Sequence, residues 1–501
     1  MNKKENEERS DSYGHVLKYT SLFGGVQVLK IMVDVVRNKL AAMLLHREGM
    51  GLNAQYMNSA EVAGSVTNFG LTFSSVQRLS ELYEKGDAEV LRRFVGVVRT
   101  WSLWTSVFGM LVCLLLGQVA SSWYFSGLSP APVDILLLCL YVGALPFEEG
   151  ECSILKSTRH LSQMAGVESS VALATFLLTI PVYYLMGLRG IVLALALVGW
   201  AKVALHMTVT LRLYPYRVFP FSPRVLRAGA PLVRRGIPFM LAAVLGSLTT
   251  MTLFRYCLDG DSREIGLYKS IFGLVMAYAG MVFVAIGNDF FPRLSSVNHD
   301  RRHMNHTINQ QIDVNILLIT PMLIALVVAM PWVIRLLYSR EFMPGVTMGQ
   351  CAVFYMFFLA VTRPVAYTSL AKGDSLVYLI MEATYNAVFL GLMYYAYHHY
   401  SLAGAGAAHS AAALFDMVMI STVYHRLYGV SIRCSTLRII GTQGLMLAGV
   451  IVACIPLITW VKYSVAIPVF VLSTAFSWRM LSTDVQFTQA LRDKINKLRH
   501  R

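Results

Sequence analysis

Stretches of about twenty residues with almost no charge recur along the whole chain, and each is long enough to cross a bilayer, which takes about 17–25 residues of helix. They lie near 17–37, 53–76, 98–120, 133–153, 166–186, 190–211, 236–257, 265–291, 313–337, 347–370, 376–397, 402–424, 437–459 and 463–480. About fourteen such runs predict an all-α polytopic membrane protein. The second run is the most polar, and the last two also read as one re-entrant pair. Only 14% of the residues are charged, where a soluble domain carries about 25%. The polar start, Met1 to about Val16, leads into a long run with no small-residue cleavage site, so no cleavable signal is expected.

The net charge of +15 is unevenly placed. Counting from a cytoplasmic N-terminus, the inner loops hold Arg78, Lys85, Arg92 and Arg93, then a dense group from Arg212 to Arg235, then Arg293, Arg301, Arg302, Lys372, Arg426 and Arg433. The outer loops hold only Lys39, Arg47, Arg189, Arg263, Arg340 and Lys462. That is the positive-inside pattern with both termini cytoplasmic, and an odd number of spans would break it. No zinc-finger, helix-turn-helix or RNA-binding pattern accompanies the charge, so no nucleic-acid partner is expected. The seven cysteines are scattered without a CxxC pair. They read as small core residues, and no metal site is expected.

The chain repeats itself. Gly51-Leu52 opens a segment that closes with Arg78-Leu79-Ser80, and Gly266-Leu267 opens one that closes with Arg293-Leu294-Ser295, at an offset of 215. Leu155 maps onto Leu370 at the same offset; Glu168, Leu178, Tyr183, Leu188 and Gly190 map onto Glu382, Leu392, Tyr397, Leu402 and Gly404 at 214. A constant order of matches favours a duplicated half. Pro215, Pro220, Pro223 and Pro231 interrupt helix between the copies. The expected organisation is an N-terminal lobe over 1–211, a cytoplasmic basic linker over 212–235 and a C-terminal lobe over 236–425. Residues 426–501 add two extra spans and a basic tail. Six spans per lobe is even, so the copies form a parallel pseudo-repeat.

Two spans carry polar stripes at helical spacing. Asn58, Glu61, Ser65, Asn68, Thr72 and Ser75 step by three and four along the second span, as do Gln27, Lys30, Asp34 and Arg37 along the first. A charge at mid-bilayer costs ~2.5–3.5 kcal/mol, so such stripes face protein or water. Together they predict a hydrated cavity; the competing reading is a Lys30–Asp34 pair with small-residue helix packing. Further charges inside spans are Lys202, His206, Lys269, Glu382, His409 and Asp416. Glu148, Glu149 and Glu151 end the fourth span beside Pro146, and Arg363 stands beside Pro364 in the tenth. Opposite signs at equivalent depths suit an inner-gate contact, against a solvated acidic end and a snorkelling arginine. No phosphate loop, H-E-x-x-H or G-x-S-x-G is present, so an enzyme is not expected.

The segment Arg37-Asn38-Lys39-Leu40-Ala41-Ala42, followed after a short turn by Gly49-Met50-Gly51-Leu52-Asn53-Ala54, resembles the start of the Wzx-like O-antigen and polysaccharide-unit flippases. These belong to the multidrug/oligosaccharidyl-lipid/polysaccharide exporter superfamily. Glu48 and Gly49 stand at the family's turn, its proline is missing, and His46 replaces its usual glycine. The likeness implies two lobes around a central cavity and alternating access in a bacterial inner membrane. It also implies a polyprenyl-pyrophosphate-linked oligosaccharide, for lipopolysaccharide or another surface polysaccharide, moved from the cytoplasmic to the periplasmic leaflet. A polysaccharide polymerase and chain-length machinery are the expected partners, and no cofactor beyond coupling to H+ or Na+. An anionic headgroup needs cations on its path, for which Lys30, Arg37, Arg255 and Lys269 are the candidates. Asp34, Glu61 and Asp416 would balance them or bind the coupling cation. A cation-coupled multidrug antiporter of the same superfamily is the runner-up. A membrane polysaccharide polymerase or glycosyltransferase would need a sizeable outer loop, and every outer loop here is short. Reporter fusions after residues 128 and 400 should read periplasmic, and fusions after 90 and 220 cytoplasmic; a periplasmic reading at 220 would break the two-half scheme.

Overall fold

A computed structural model describes residues 2–124, 130–158, 160–215, 223–297, 299–454 and 459–483. The side chains of residues 2–29, of Thr72 and of several further positions lie outside that description. Among the described residues every regular element is helical. In chain order these are α1 (Asn2–Thr67), α2 (Leu71–Glu84), α3 (Ala88–Tyr124), α4 (Pro132–Ser157), α5 (Leu161–Met186), α6 (Ile191–Leu213) and α7 (Pro223–Thr252). There follow α8 (Ser262–Ser296), α9 (Arg301–Leu337), α10 (Val346–Lys372), α11 (Ser375–Tyr428), α12 (Cys434–Cys454) and α13 (Thr459–Thr483). α1 and α11 are each two helices joined at a break, and α2 continues the second half of α1, so the thirteen helices make fourteen segments. The protein is therefore the all-α polytopic membrane protein that its hydropathy predicts. Eight helical stretches among the described residues are apolar and long enough to cross a bilayer; Gln163–Leu213 and Ser375–Tyr428 are each twice that length and turn back midway.

The breaks follow a backbone rule. α1 turns at His46 (φ 55°, ψ −168°) and α11 at Ser401 (φ 50°, ψ −141°). Between α5 and α6 the turn is at Gly187 (φ 56°, ψ −132°). Glycine enters this region freely; other side chains do so at about 1–3 kcal/mol. Gly187 and Ser401 lie 214 positions apart, so the same turn conformation recurs at the offset read from the sequence, with glycine at one position and serine at the other.

Two expectations change. The second span is not one continuous helix: Phe69 (φ 51°) and Gly70 (φ 65°) separate α1 from α2, so the six-residue polar stripe is divided between two helices. The last two spans are not a re-entrant pair by length. α12 has 21 residues and α13 has 25, each at least about 30 Å of helix. They pair through polar side chains in an apolar setting: Ser473 Oγ donates to Gln443 Oε1 at 2.7 Å and Gln443 Nε2 to Ser477 Oγ at 2.9 Å.

The chain forms two compact units, Met1–Gly266 with Leu337–Ser339, and Leu267–Leu336 with Arg340–Arg501. In the first, α7 packs on α1 by hydrogen bonding, Asn58 Nδ2 donating to Ser247 O at 3.1 Å. It meets the α1–α2 turn backbone to backbone: a Cβ on Gly70 would fall 2.1 Å from Gly236 O, and one on Gly236 2.4 Å from Phe69 O. The start of α8 crosses α1 in the same manner. A Cβ on Gly51 would fall 1.7 Å from Ser262 O, and one on Gly266 1.9 Å from Arg47 O. Both pairs of counterparts, Gly51 with Gly266 and Arg47 with Ser262, obey the 215 offset, so this contact is reciprocal. In the second unit α9 and α10 form the core, with Asn315 Nδ2 donating to Ala360 O at 3.0 Å and Gln350 Nε2 to Val327 O at 3.0 Å. Asp300 caps α9, accepting from the amides of Arg302 and His303. The His303 side chain beside it, with those amides, holds the Asp300 carboxyl below its ordinary range.

Because backbone cannot retreat as a side chain can, Gly51→Ala and Gly266→Ala should each destabilise the protein by about 1–3 kcal/mol. Gly246→Ala, where a Cβ meets nothing within 4 Å, should not. Thermal unfolding of the purified variants reads the difference.

Candidate functional site

Each unit encloses a charged cavity. The first, of about 330 Å³, is lined by α1, α4, α5 and α6. α1 supplies Lys30, Asp34 and Arg37, α4 supplies Glu148, α5 supplies Glu168 and α6 supplies Lys202. Lys30 Nζ pairs with Glu168 Oε2 at 2.7 Å and Arg37 Nη1 with Asp34 Oδ1 at 3.1 Å. All four side chains are half-buried, between 27% and 33% exposed, so they face a wet cavity and not lipid. Lys30 therefore pairs across to α5 and not with Asp34 along its own helix. Three basic and three acidic groups line the wall, a mixed site where the sequence suggested a cationic one.

The second cavity, of about 400 Å³, lies between α10 and the two halves of α11. It holds Glu382, Asp416, Arg363 and five tyrosines: Tyr355, Tyr367, Tyr378, Tyr385 and Tyr424. Arg363 lies over the Phe283 ring at 4.9 Å. The repeat offset relates the two cavities. Glu148 corresponds to Arg363 at 215; Glu168 corresponds to Glu382 and Lys202 to Asp416 at 214. All six line a cavity in their own unit, so the same positions are used twice with partly inverted charge.

The remaining candidates are dispersed. Asn58 is 3% exposed and accepts from Tyr124 Oη at 3.0 Å as well as bonding α7; Ser65 meets Ser247 Oγ at 3.4 Å. These two side chains thus bond neighbouring helices. Glu61 is exposed and lines neither cavity. Asn68 donates to Glu149 at the α1–α2 turn. The side chains of Gln27 and Thr72 lie outside the described residues. Arg255 lies 5.7 Å from the Tyr256 ring in a π-turn, Leu253–Cys257, that ends α7. Lys269 is exposed on α8. Neither lines the first cavity, so of the four cation candidates only Lys30 and Arg37 come together there.

The acidic cluster is not a solvated end. α4 continues to Ser157, and its three glutamates take separate roles. Glu148 lines the first cavity and Glu149 accepts from Asn68. Glu151 is 1% exposed and bound to Arg99 of α3, Nε to Oε1 at 2.8 Å and Nη2 to Oε2 at 3.1 Å. Arg99 Nη1 also donates to the carbonyls of Tyr214 and Pro215, at 3.1 and 3.3 Å. Glu151 is thus engaged inside its own unit. Arg99 was not among the candidates; its one sequence signal is a cation just inside an apolar run. Removing one partner of such a pair strands the other, so Arg99→Met should cost ~3–5 kcal/mol, and Arg99→Met with Glu151→Gln should recover most of it. Chemical or thermal denaturation in detergent measures both.

Among the described residues, fourteen helical segments, eight stretches of them apolar and long enough to cross a bilayer, together with a charged cavity in each unit, define a multi-pass membrane protein of transporter type. Residues 40–347, more than half of the chain, match the family described as polysaccharide biosynthesis protein, and the chain belongs to that family. Its fold is that of the multidrug/oligosaccharidyl-lipid/polysaccharide exporters. The lipid II flippase MurJ in an inward closed conformation matches with a TM-score of 0.68 at 14% identity, over 92% of this chain and 99% of that one. An inward-facing multidrug-resistance MATE transporter of the superfamily matches at 0.63 and 14%, over 80% and 96%. The MATE multidrug transporter DinF-BH matches at 0.58 and 17%, over 82% and 96%. No curated protein sequence matches the chain.

Proposed function

We propose that the protein is a flippase for a polyprenyl-pyrophosphate-linked oligosaccharide, carrying an O-antigen or similar surface-polysaccharide unit across a bacterial inner membrane by alternating access. Two lobes over 1–211 and 236–425 carry the transport, and 426–501 adds two helices. One observation carries the reading: Lys30, Arg37 and Lys202 line a cavity inside a lobe whose outer surface is apolar. A pyrophosphate cannot enter hydrocarbon bare, and such a wall offers it charge-assisted contacts in place of water. The carboxylates Asp34 and Glu168 hold these cations while the cavity is empty of substrate, and the anion displaces them. The reciprocal glycine contact and the shared turn at Gly187 and Ser401 support the duplicated lobes.

The second cavity supports cation coupling. Glu382 and Asp416 face it together, whereas Asp34 is already paired with Arg37, so Asp416 is the preferred site for H+ or Na+. Its tyrosine lining is also what an organic cation would use, which keeps the multidrug-antiporter reading in play; uptake of a dye cation by vesicles containing the protein would favour it.

A partly hydrated charge contact is worth about 1.5–3 kcal/mol. Lys30→Ala should therefore slow sugar delivery, and Lys30→Glu and Arg37→Glu should slow it more, read as lipid-linked sugar accumulating in the inner leaflet at matched protein levels. The exchange Lys30→Glu with Glu168→Lys restores the ion pair, and under this reading delivery should stay impaired. Wild-type delivery by both Glu variants would remove the anion site.

A further inference from the structure

Behind Glu148 of the first cavity's lining, α4 and α6 hold a buried cluster of side chains that the ion pairs do not account for. His206, on α6, is 1% exposed. Its Nδ1 lies 2.9 Å from the backbone carbonyl of Lys202, which holds the ring proton on Nδ1 and leaves a lone pair on Nε2. Nε2 is buried and has no hydrogen-bond partner. Opposite it on α4 stand the Glu148 carboxylate, with Oε1 at 4.0 Å, and Cys152, buried one helical turn further along the same face. One ligand atom from each of the three residues lies within 4.8 Å of the others. An ion pair alone does not explain the arrangement, because 4.0 Å is beyond hydrogen-bond reach and would leave a buried imidazole nitrogen unsatisfied.

We propose that Glu148, Cys152 and His206 bind one divalent cation of the zinc class between α4 and α6, at the edge of the charged cavity. The donor set is sulfur, nitrogen and oxygen, which selects zinc or a neighbouring transition metal over magnesium or calcium. Ligand atoms around tetrahedral zinc stand about 3.3–3.8 Å apart, so these three need to draw in by only ~1 Å. The histidine has the outer support that metal-binding imidazoles use, its second nitrogen donating to a backbone carbonyl. A thiolate and a carboxylate together cancel the cation's charge, so the site adds no net charge to the interior. Three protein ligands leave room for a water or an anion oxygen. Glu148 is both a ligand and part of the cavity wall, so the metal lies at the cavity's edge. The cysteine expected to be an inert core residue is then a ligand.

The test needs no transport assay. Purified full-length protein in detergent is stripped with chelator, reloaded with zinc chloride, desalted and measured for metal by mass spectrometry. The wild type and Cys139→Ser, a buried α4 cysteine outside the group, should retain about one zinc per chain. Cys152→Ser and His206→Gln should retain less than about a fifth of that. Cobalt-loaded wild type should show the near-ultraviolet thiolate-to-cobalt absorption, which depends on no variant's folding, and Cys152→Ser should lack it. Folded wild type that retains no zinc and shows no thiolate-to-cobalt band overturns the proposal, as does undiminished binding by both variants.

Discussion

Arg99 and Glu151 meet where neither can reach water, and the architecture of the first unit depends on that meeting. Taking two charges out of water costs several kcal/mol each, and a pair survives only when its geometry is good and its leftover donors and acceptors are used. Here the guanidinium is bidentate, its remaining nitrogen serves two carbonyls at the end of α6, and Thr210 of α6 donates to the carboxylate. α3, α4 and α6 are thereby locked in register. Glu148 lies one turn before Glu151, and His206 one turn before Thr210. The same lock therefore aligns α4 and α6 along the cavity wall.

Much of the fold is legible in the sequence because the bilayer imposes one rule on every span. Hydropathy predicts about fourteen spans, and the described residues form fourteen helical segments, eight stretches of them apolar and long enough to cross a bilayer. What hydropathy cannot register is a break that leaves composition unchanged. Polar residues at steps of three and four continue across Asn68-Phe69-Gly70, and the periodicity hid the turn that Gly70 makes. The site was legible as a set of charges and not as a set of partners. Lys30, Asp34 and Arg37 share a helix face by spacing, but Glu168, which holds Lys30, is 138 residues away, and no local pattern records such a distance. Arg99 failed for the same reason. The five tyrosines of the second cavity come from three helical segments and look like ordinary aromatic filling until they converge.

The repeat makes the differences between the cavities informative. Counterpart positions keep their place on a cavity wall while changing sign: glutamate for arginine at 148 and 363, lysine for aspartate at 202 and 416. Position on the wall is dictated by the helix that carries the residue, and its charge is not. The first cavity keeps three cations, two of them on a helix face that the second cavity does not have, and the second gathers carboxylates among phenol rings. The two cavities are therefore chemically unlike: one has three cations balanced by three carboxylates, the other two carboxylates and one arginine among phenol rings.

The contact between Gly51 and Gly266 points backward in time. Each glycine rests on the other copy's backbone, and the residues they touch, Ser262 and Arg47, are themselves counterparts. Under the proposed duplication, the half-length ancestor would have met a second copy of itself at this spot, in the self-complementary fashion of a two-fold dimer. Every substitution at that glycine would have struck both sides of the joint at once. Fusion into one chain would have ended that coupling: each side could then drift alone, and a protein with unequal halves would become reachable one residue at a time.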